Sequence, residues 1–107
     1  MEEEFIPVLN ESELAEGTMK GVDADGTPVL LIKKRGKIYA YDDRCPHQQC
    51  QISHGEIDNV SVVCPCHDWR FKIETGEYEE EPAIVMTSFE CKVENGKIYV
   101  KPEVNPQ

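Results

Sequence analysis

"RCPHQQC", residues 44–50, and "CPCHDW", residues 64–69, decide how this chain is read. The two stretches hold four of its five cysteines and two of its three histidines. One residue separates Cys45 from His47, two separate Cys64 from His67, and sixteen lie between His47 and Cys64. Thiolate and imidazole are the soft and borderline donors that transition metals select. Each stretch offers two thiols and one imidazole, and the pairs Cys45/His47 and Cys64/His67 put one of each a few residues apart, so two loops of this kind can wrap around one compact centre. Pro46 and Pro65 fix their own φ and bias the preceding cysteine toward extended conformations, which stiffens a loop that must present a ligand at a defined angle.

The rest of the chain narrows the setting. Its 107 residues suit one domain, 1–107. A domain of that size buries roughly two-thirds of the surface its unfolded chain exposes, so an ordinary core suffices. "MEEEFIPVLN" is acidic and lacks the apolar run of a signal peptide or membrane anchor, and no stretch approaches the ~20 apolar residues of a membrane span. The expected compartment is the cytoplasm. Twenty-one acidic residues against eleven basic ones give a formal charge of −10, which argues against nucleic acid and anionic membranes as partners. The charge suits a solvated surface, or a docking face for a basic partner, and is densest in "ETGEYEEE" (74–81). An odd cysteine count without an export signal favours metal ligation over a full disulfide framework.

The pattern around the two loops is all-β, with short antiparallel strands between turns. Asp25-Gly26 and Arg35-Gly36 mark tight turns of a three-strand meander at about 18–24, 28–34 and 37–42. "NESELAEG" (10–17) suits a helical turn, and "VSVV" (60–63) a short buried strand feeding the second loop. "WRFKIETGEY" suggests a strand, a turn at Thr75-Gly76 and a return. Asn95-Gly96 predicts a hairpin pairing Glu94 with Lys97, Val93 with Ile98, Lys92 with Tyr99 and Cys91 with Val100. Cys91, Val93, Ile98 and Val100 then share an apolar face, which makes Cys91 a small core hydrophobe. His54 reads as a polar loop residue.

The C-x-H, sixteen-residue gap, C-x₂-H pattern resembles the Rieske iron–sulfur family, and short Rieske-type ferredoxins in particular. The likeness covers nearly the whole chain, including the "WRF…TG" continuation. It implies a small antiparallel β sandwich or barrel with two cluster-binding loops and a [2Fe–2S] cofactor. Cys45 and Cys64 would ligate one iron, and His47 and His67 the other. Two ferric irons, two sulfides and two thiolates make a neutral oxidised centre, whereas four thiolates leave it doubly negative. Histidine ligation therefore raises the potential, to about −150 to +300 mV against about −400 mV for plant-type ferredoxins. A Cys₂His₂ zinc site is the competing arrangement, although fingers usually place both cysteines before both histidines.

Cys50 and Cys66 match the extra cysteines of the high-potential Rieske proteins, where that pair forms a disulfide between the loops. The resemblance thus implies a Cys50–Cys66 disulfide. After His67 the high-potential proteins carry a Gly-Ser pair and then a Tyr, whose hydroxyls raise the potential. Here Asp68, Trp69 and Phe71 occupy the corresponding region and neither aromatic residue has a hydroxyl, so a potential in the lower part of the range is expected. By resemblance the chain is a one-electron carrier and not itself an enzyme. A flavin-dependent reductase would stand upstream, and an oxygenase or other redox enzyme downstream. Two further roles fit the residues: a Rieske subunit bound tightly within a larger oxidase or reductase, and a redox sensor switched by Cys50–Cys66.

Overall fold

The computed structural model of the chain describes residues 5–45, 50–66 and 68–101. The β3–β4 hairpin organises it: β3 is Thr27–Lys34 and β4 is Lys37–Asp42. The apolar run Val29-Leu30-Leu31-Ile32 has no exposed surface on either side. A strand so uniformly apolar must be covered on both faces. Leu30 and Ile32 pack with Cys45, Ile52, Val62, Cys64 and Phe71, whereas Val29 and Leu31 pack with Leu14, Phe89, Ile98 and Val100. One strand therefore feeds two cores from its alternating side chains.

β2 (Thr18–Ala24) flanks β3 on the other edge, giving an antiparallel sheet of order β2-β3-β4. The meander expected at 18–24, 28–34 and 37–42 is present almost to the residue. Its turns take positive φ at both central residues, 55° and 91° at Asp25-Gly26 and 56° and 76° at Arg35-Gly36, as a two-residue hairpin turn demands. The Glu16 carboxylate accepts the backbone N–H groups of Arg35 (2.5 Å) and Gly36 (2.9 Å), and these bonds hold its pKa below the usual carboxylate range.

The second sheet has the order β1-β11-β10, with β1 at Ile6–Asn10, β10 at Glu90–Glu94 and β11 at Lys97–Lys101. The β10–β11 register pairs Glu94 with Lys97, Val93 with Ile98, Lys92 with Tyr99 and Cys91 with Val100, as the Asn-Gly turn predicts. The expected apolar face is only half buried. Ile98 and Val100, on the central strand, are fully buried, but β10 is an edge and leaves Val93 41% exposed. Cys91 sits at the margin of the core and donates weakly to the Ile38 carbonyl at 3.4 Å. The helical turn expected at 10–17 shrinks to a 3-10 turn at Glu11–Glu13.

The third sheet carries the site. Its five strands run in the order β5 (Glu56–Asp58), β6 (Ser61–Val63), β7 (Arg70–Lys72), β8 (Glu77–Tyr78) and β9 (Glu81–Val85). Val60 belongs to the turn before β6 and is 45% exposed, so the buried strand expected at 60–63 begins one residue later. Among the described residues there is no α-helix, and no helix is long and apolar enough to cross a membrane.

Candidate metal centre

The two cysteine loops share one construction. After β4, Arg44 bridges Gln51, and just inside that bridge the Cys45 N–H donates to the Cys50 carbonyl at 2.9 Å. After β6, Val63 pairs with Arg70, and just inside that pair the Cys64 N–H donates to the Trp69 carbonyl at 2.8 Å. Each loop thus opens on a cysteine whose backbone is pinned across the hairpin. Both cysteines are buried, Cys45 with no exposed surface and Cys64 at 1%, and both lie in the core built on Leu30 and Ile32.

Further contacts set the loops against each other. A disulfide joins Cys50 to Cys66 across a Cα–Cα distance of 6.4 Å. Cys66 is exposed and Cys50 half-buried, so the bridge lies at the rim of the site. Gly55, just after the first loop, lies so close to the second that a Cβ there would collide with the Val63 carbonyl. The first loop rests on a 3-10 turn, Ile52–His54, whose Ile52 side chain is fully buried and whose backbone N–H donates to the Asp43 carbonyl at 3.0 Å. The Arg44 guanidinium pairs with the Asp42 carboxylate at 2.8 Å, which raises the arginine's pKa further.

The residues expected around the centre separate into different roles. Phe71 is fully buried beneath the loops. Trp69 is half-buried and lies flat on the Tyr78 ring, with centroids 4.0 Å apart and planes 4° apart. Phe71 is tilted against both, at 6.2 Å from Trp69 and 5.6 Å from Tyr78. Asp68 is exposed, takes φ 58°, and donates its N–H to the Cys64 carbonyl at 3.0 Å, so it closes the turn inside the loop. It also lines three shallow depressions, beside Trp69, Tyr78, Glu79 and Glu80, beside Glu56 and Asp58, and beside exposed His54. His47 and His67 lie outside the described residues.

Sequence reasoning missed Asp43, Ser53, Gly55 and Tyr78. Asp43 and Ser53 clasp the base of the first loop, with the Ser53 N–H and hydroxyl donating to the carboxylate at 2.7 and 2.6 Å. Tyr78 comes from the return of the "TGEY" turn, where only the aromatic residue itself hinted at packing. Partial burial pushes its phenol pKa up, and Glu80, Glu81 and Cys45 push the same way.

The donor chemistry fits a sulfide-bridged iron centre. Two buried thiols stand on matched, tethered loops in an apolar surround, and thiolate is the donor that iron–sulfur clusters take from proteins. The chain matches the model of the Rieske [2Fe-2S] domain over residues 4–99. It is 32% identical over 105 residues to the ferredoxin component of an alkene monooxygenase system of Xanthobacter autotrophicus, covering 97% of this chain and 86% of that one. It is 29% identical over 104 residues to the ferredoxin component of naphthalene 1,2-dioxygenase/salicylate 5-hydroxylase systems of a Ralstonia species, covering 96% and 100% of the two chains. Among solved structures, the complex of reduced oxygenase and oxidised ferredoxin in carbazole 1,9a-dioxygenase contains a chain that superposes with a TM-score of 0.85 at 28% identity, over 99% of this chain and all of that one. With two such loops on a fold of this kind and a family match over nearly its whole length, the chain belongs to the Rieske [2Fe-2S] domain family and is an electron carrier of the ferredoxin type.

Proposed function

We propose that the chain carries single electrons from a reductase to an oxygenase, with Cys45 and Cys64 holding one iron of the cluster and His47 and His67 the other. When bound, the cluster supplies the one-electron couple. The chain's own residues supply the rest. The paired backbone bonds of Cys45 and Cys64 hold both thiols inward from matching loop positions. Ile52, Val62, Phe71 and the Leu30–Ile32 face exclude water from that side. The disulfide fixes the distance between the loops, which carry the histidines. The matched burial of the two thiols is the observation that carries the reading.

The ferredoxin components of the alkene monooxygenase and naphthalene dioxygenase systems support an oxygenase as the downstream partner. A cytoplasmic location and a flavin-dependent reductase upstream complete the proposal. Substituting Cys45 or Cys64 by Ser should abolish the visible chromophore and its iron, whereas Cys91→Ser should leave both intact. Full iron loading in Cys45→Ser would contradict the ligand assignment.

The exposure of Cys66 favours one second reading, a redox switch at Cys50–Cys66. It requires the bond to cycle at cellular potentials. Equilibration of the protein against glutathione buffers, followed by thiol alkylation and mass measurement, tests this. A bond that stays oxidised throughout excludes the switch.

A further inference from the structure

The two cysteine loops are held from behind in different ways. Behind the first, the Ile52–His54 turn sinks Ile52 fully into the core. Behind the second, the chain runs straight into β7, and the residue that closes the loop, Trp69, is only half-buried. Its backbone nonetheless holds a thiol residue. The Trp69 carbonyl accepts the Cys64 N–H at 2.8 Å, and the neighbouring Asp68 N–H donates to the Cys64 carbonyl at 3.0 Å. Whatever fixes Trp69 therefore restrains Cys64.

Tyr78 is placed to fix it. The Gly76 N–H donates to the Lys72 carbonyl at 2.7 Å and the Glu79 N–H to the Arg70 carbonyl at 2.9 Å, so the "TGEY" return is tied to β7 on both sides of Tyr78. The register sets Tyr78 opposite Phe71, and directly paired residues project from one face of a sheet. Trp69 stands two positions before Phe71, which puts it diagonally across from Tyr78 on that face. The result is the parallel stack of indole on phenol ring, with centroids 4.0 Å apart and planes 4° apart, and with Phe71 buried beside it. Rings so aligned restrain the indole in tilt as well as in position, because rotation about either side-chain bond ends the contact. The Tyr78 hydroxyl makes no hydrogen bond to another described residue, so the flat ring and not the phenol group makes the contact.

We propose that Tyr78 positions the second cysteine loop: its ring holds Trp69 in place, and through Trp69 it sets how firmly the metal centre is kept and how much water reaches it. This rests on the cluster reading above. Tyr78 acts as a positioning residue and not as a ligand. Uptake of one electron adds one negative charge to the centre, and water stabilises that charge, so wetting the site raises the reduction potential.

Tyr78→Phe, Tyr78→Leu and Tyr78→Ala in the loaded protein test the proposal. Phe keeps the flat ring, Leu keeps apolar bulk without it, and Ala loses both. Trp69 is the one tryptophan of the chain, so its emission reports on the stack. In the Leu and Ala variants the emission should shift to the red, and the midpoint potential in a dithionite titration should move positive. Iron should pass to a chelator about ten-fold faster, the lower end of what losing a supporting contact costs a metal site. Tyr78→Phe should match the parent in all three. Ile98→Val loosens the other core and controls for lost stability alone, so its potential and iron release should stay at the parent's values. If Tyr78→Ala does not fold, the Leu variant carries the comparison. A parent-like iron release rate or potential in Tyr78→Leu, or an equal change in Tyr78→Phe or Ile98→Val, overturns the proposal. A parent protein without iron and sulfide would instead overturn the reading on which it rests.

Discussion

The Tyr41 hydroxyl donates to the Ile73 carbonyl at 2.6 Å inside the core that backs the cysteine loops. Burial, aided by Tyr39 and Glu74, pushes its pKa from 10.0 up to about 12. The folded state therefore favours the neutral phenol. That stability is fully present below about pH 10 and is lost as the pH rises toward about 12. Tyr41→Phe should cost about 1–2 kcal/mol at neutral pH, because the Ile73 carbonyl loses its buried donor, and should flatten the alkaline loss. Urea unfolding at pH 7, 10 and 11.5 or so measures both effects. Gly55 is constrained by space, since any side chain meets the Val63 backbone. Gly55→Ala should destabilise by about 1–3 kcal/mol, the usual cost of overpacking. A thermal midpoint equal to that of the parent would show that the two loops do not approach as closely as described.

Two hairpins, each ending in a loop that opens on a cysteine, are locked together by one covalent bond. The Cys50–Cys66 bridge spans 16 residues of sequence, and a closed loop of that length restricts the unfolded chain by roughly 3 kcal/mol. The double substitution Cys50→Ser with Cys66→Ser should lower stability by about that amount while leaving both buried thiols in place. Guanidinium unfolding of the two proteins under non-reducing conditions checks this, and equal midpoints would contradict it. At this scale the sequence was informative wherever the signal was local. Asn95-Gly96 set the β10–β11 register, and the Asp25-Gly26 and Arg35-Gly36 pairs set the meander, because positive φ at two successive positions permits few turns. The two loops were legible for the same reason, since their donors stand close together in the chain. β1 was not legible. Its partner β11 lies some ninety residues away, and "IPVLN" has no alternation of its own. Val93 and Cys91 were placed too deep because a sequence does not reveal which strand of a hairpin becomes the edge. Asp43 and Ser53 gave no signal either, as a single acid and a single hydroxyl ten residues apart resemble any polar loop pair.

Across the whole molecule the charge is unevenly spread. Residues 56–81 hold eight carboxylates against Arg70 and Lys72, and this segment carries the second cysteine loop. Arg70 is itself paired with Asp58 at 2.5 Å. Lys33, Lys34, Arg35 and Lys37 gather at the β3–β4 turn, and the first cysteine loop follows the opposite end of β4. Such a separation steers association with a positively charged partner face. The rate of electron transfer to an oxygenase partner should fall as ionic strength rises from about 10 to 150 mM, where the screening length shrinks from roughly 30 Å to 8 Å. Stopped-flow measurement at several salt concentrations would record it, and a salt-independent rate would remove the steering argument.

By the proposed function, two buried thiols and two histidines hold a two-iron cluster. Iron and acid-labile sulfide analysis of the anaerobically purified protein, joined to EPR before and after one-electron reduction, tests it most directly. Two irons and two sulfides per chain are expected, with no signal in the oxidised state and a single spin-half signal on reduction. A colourless, EPR-silent protein holding one tightly bound zinc would contradict it.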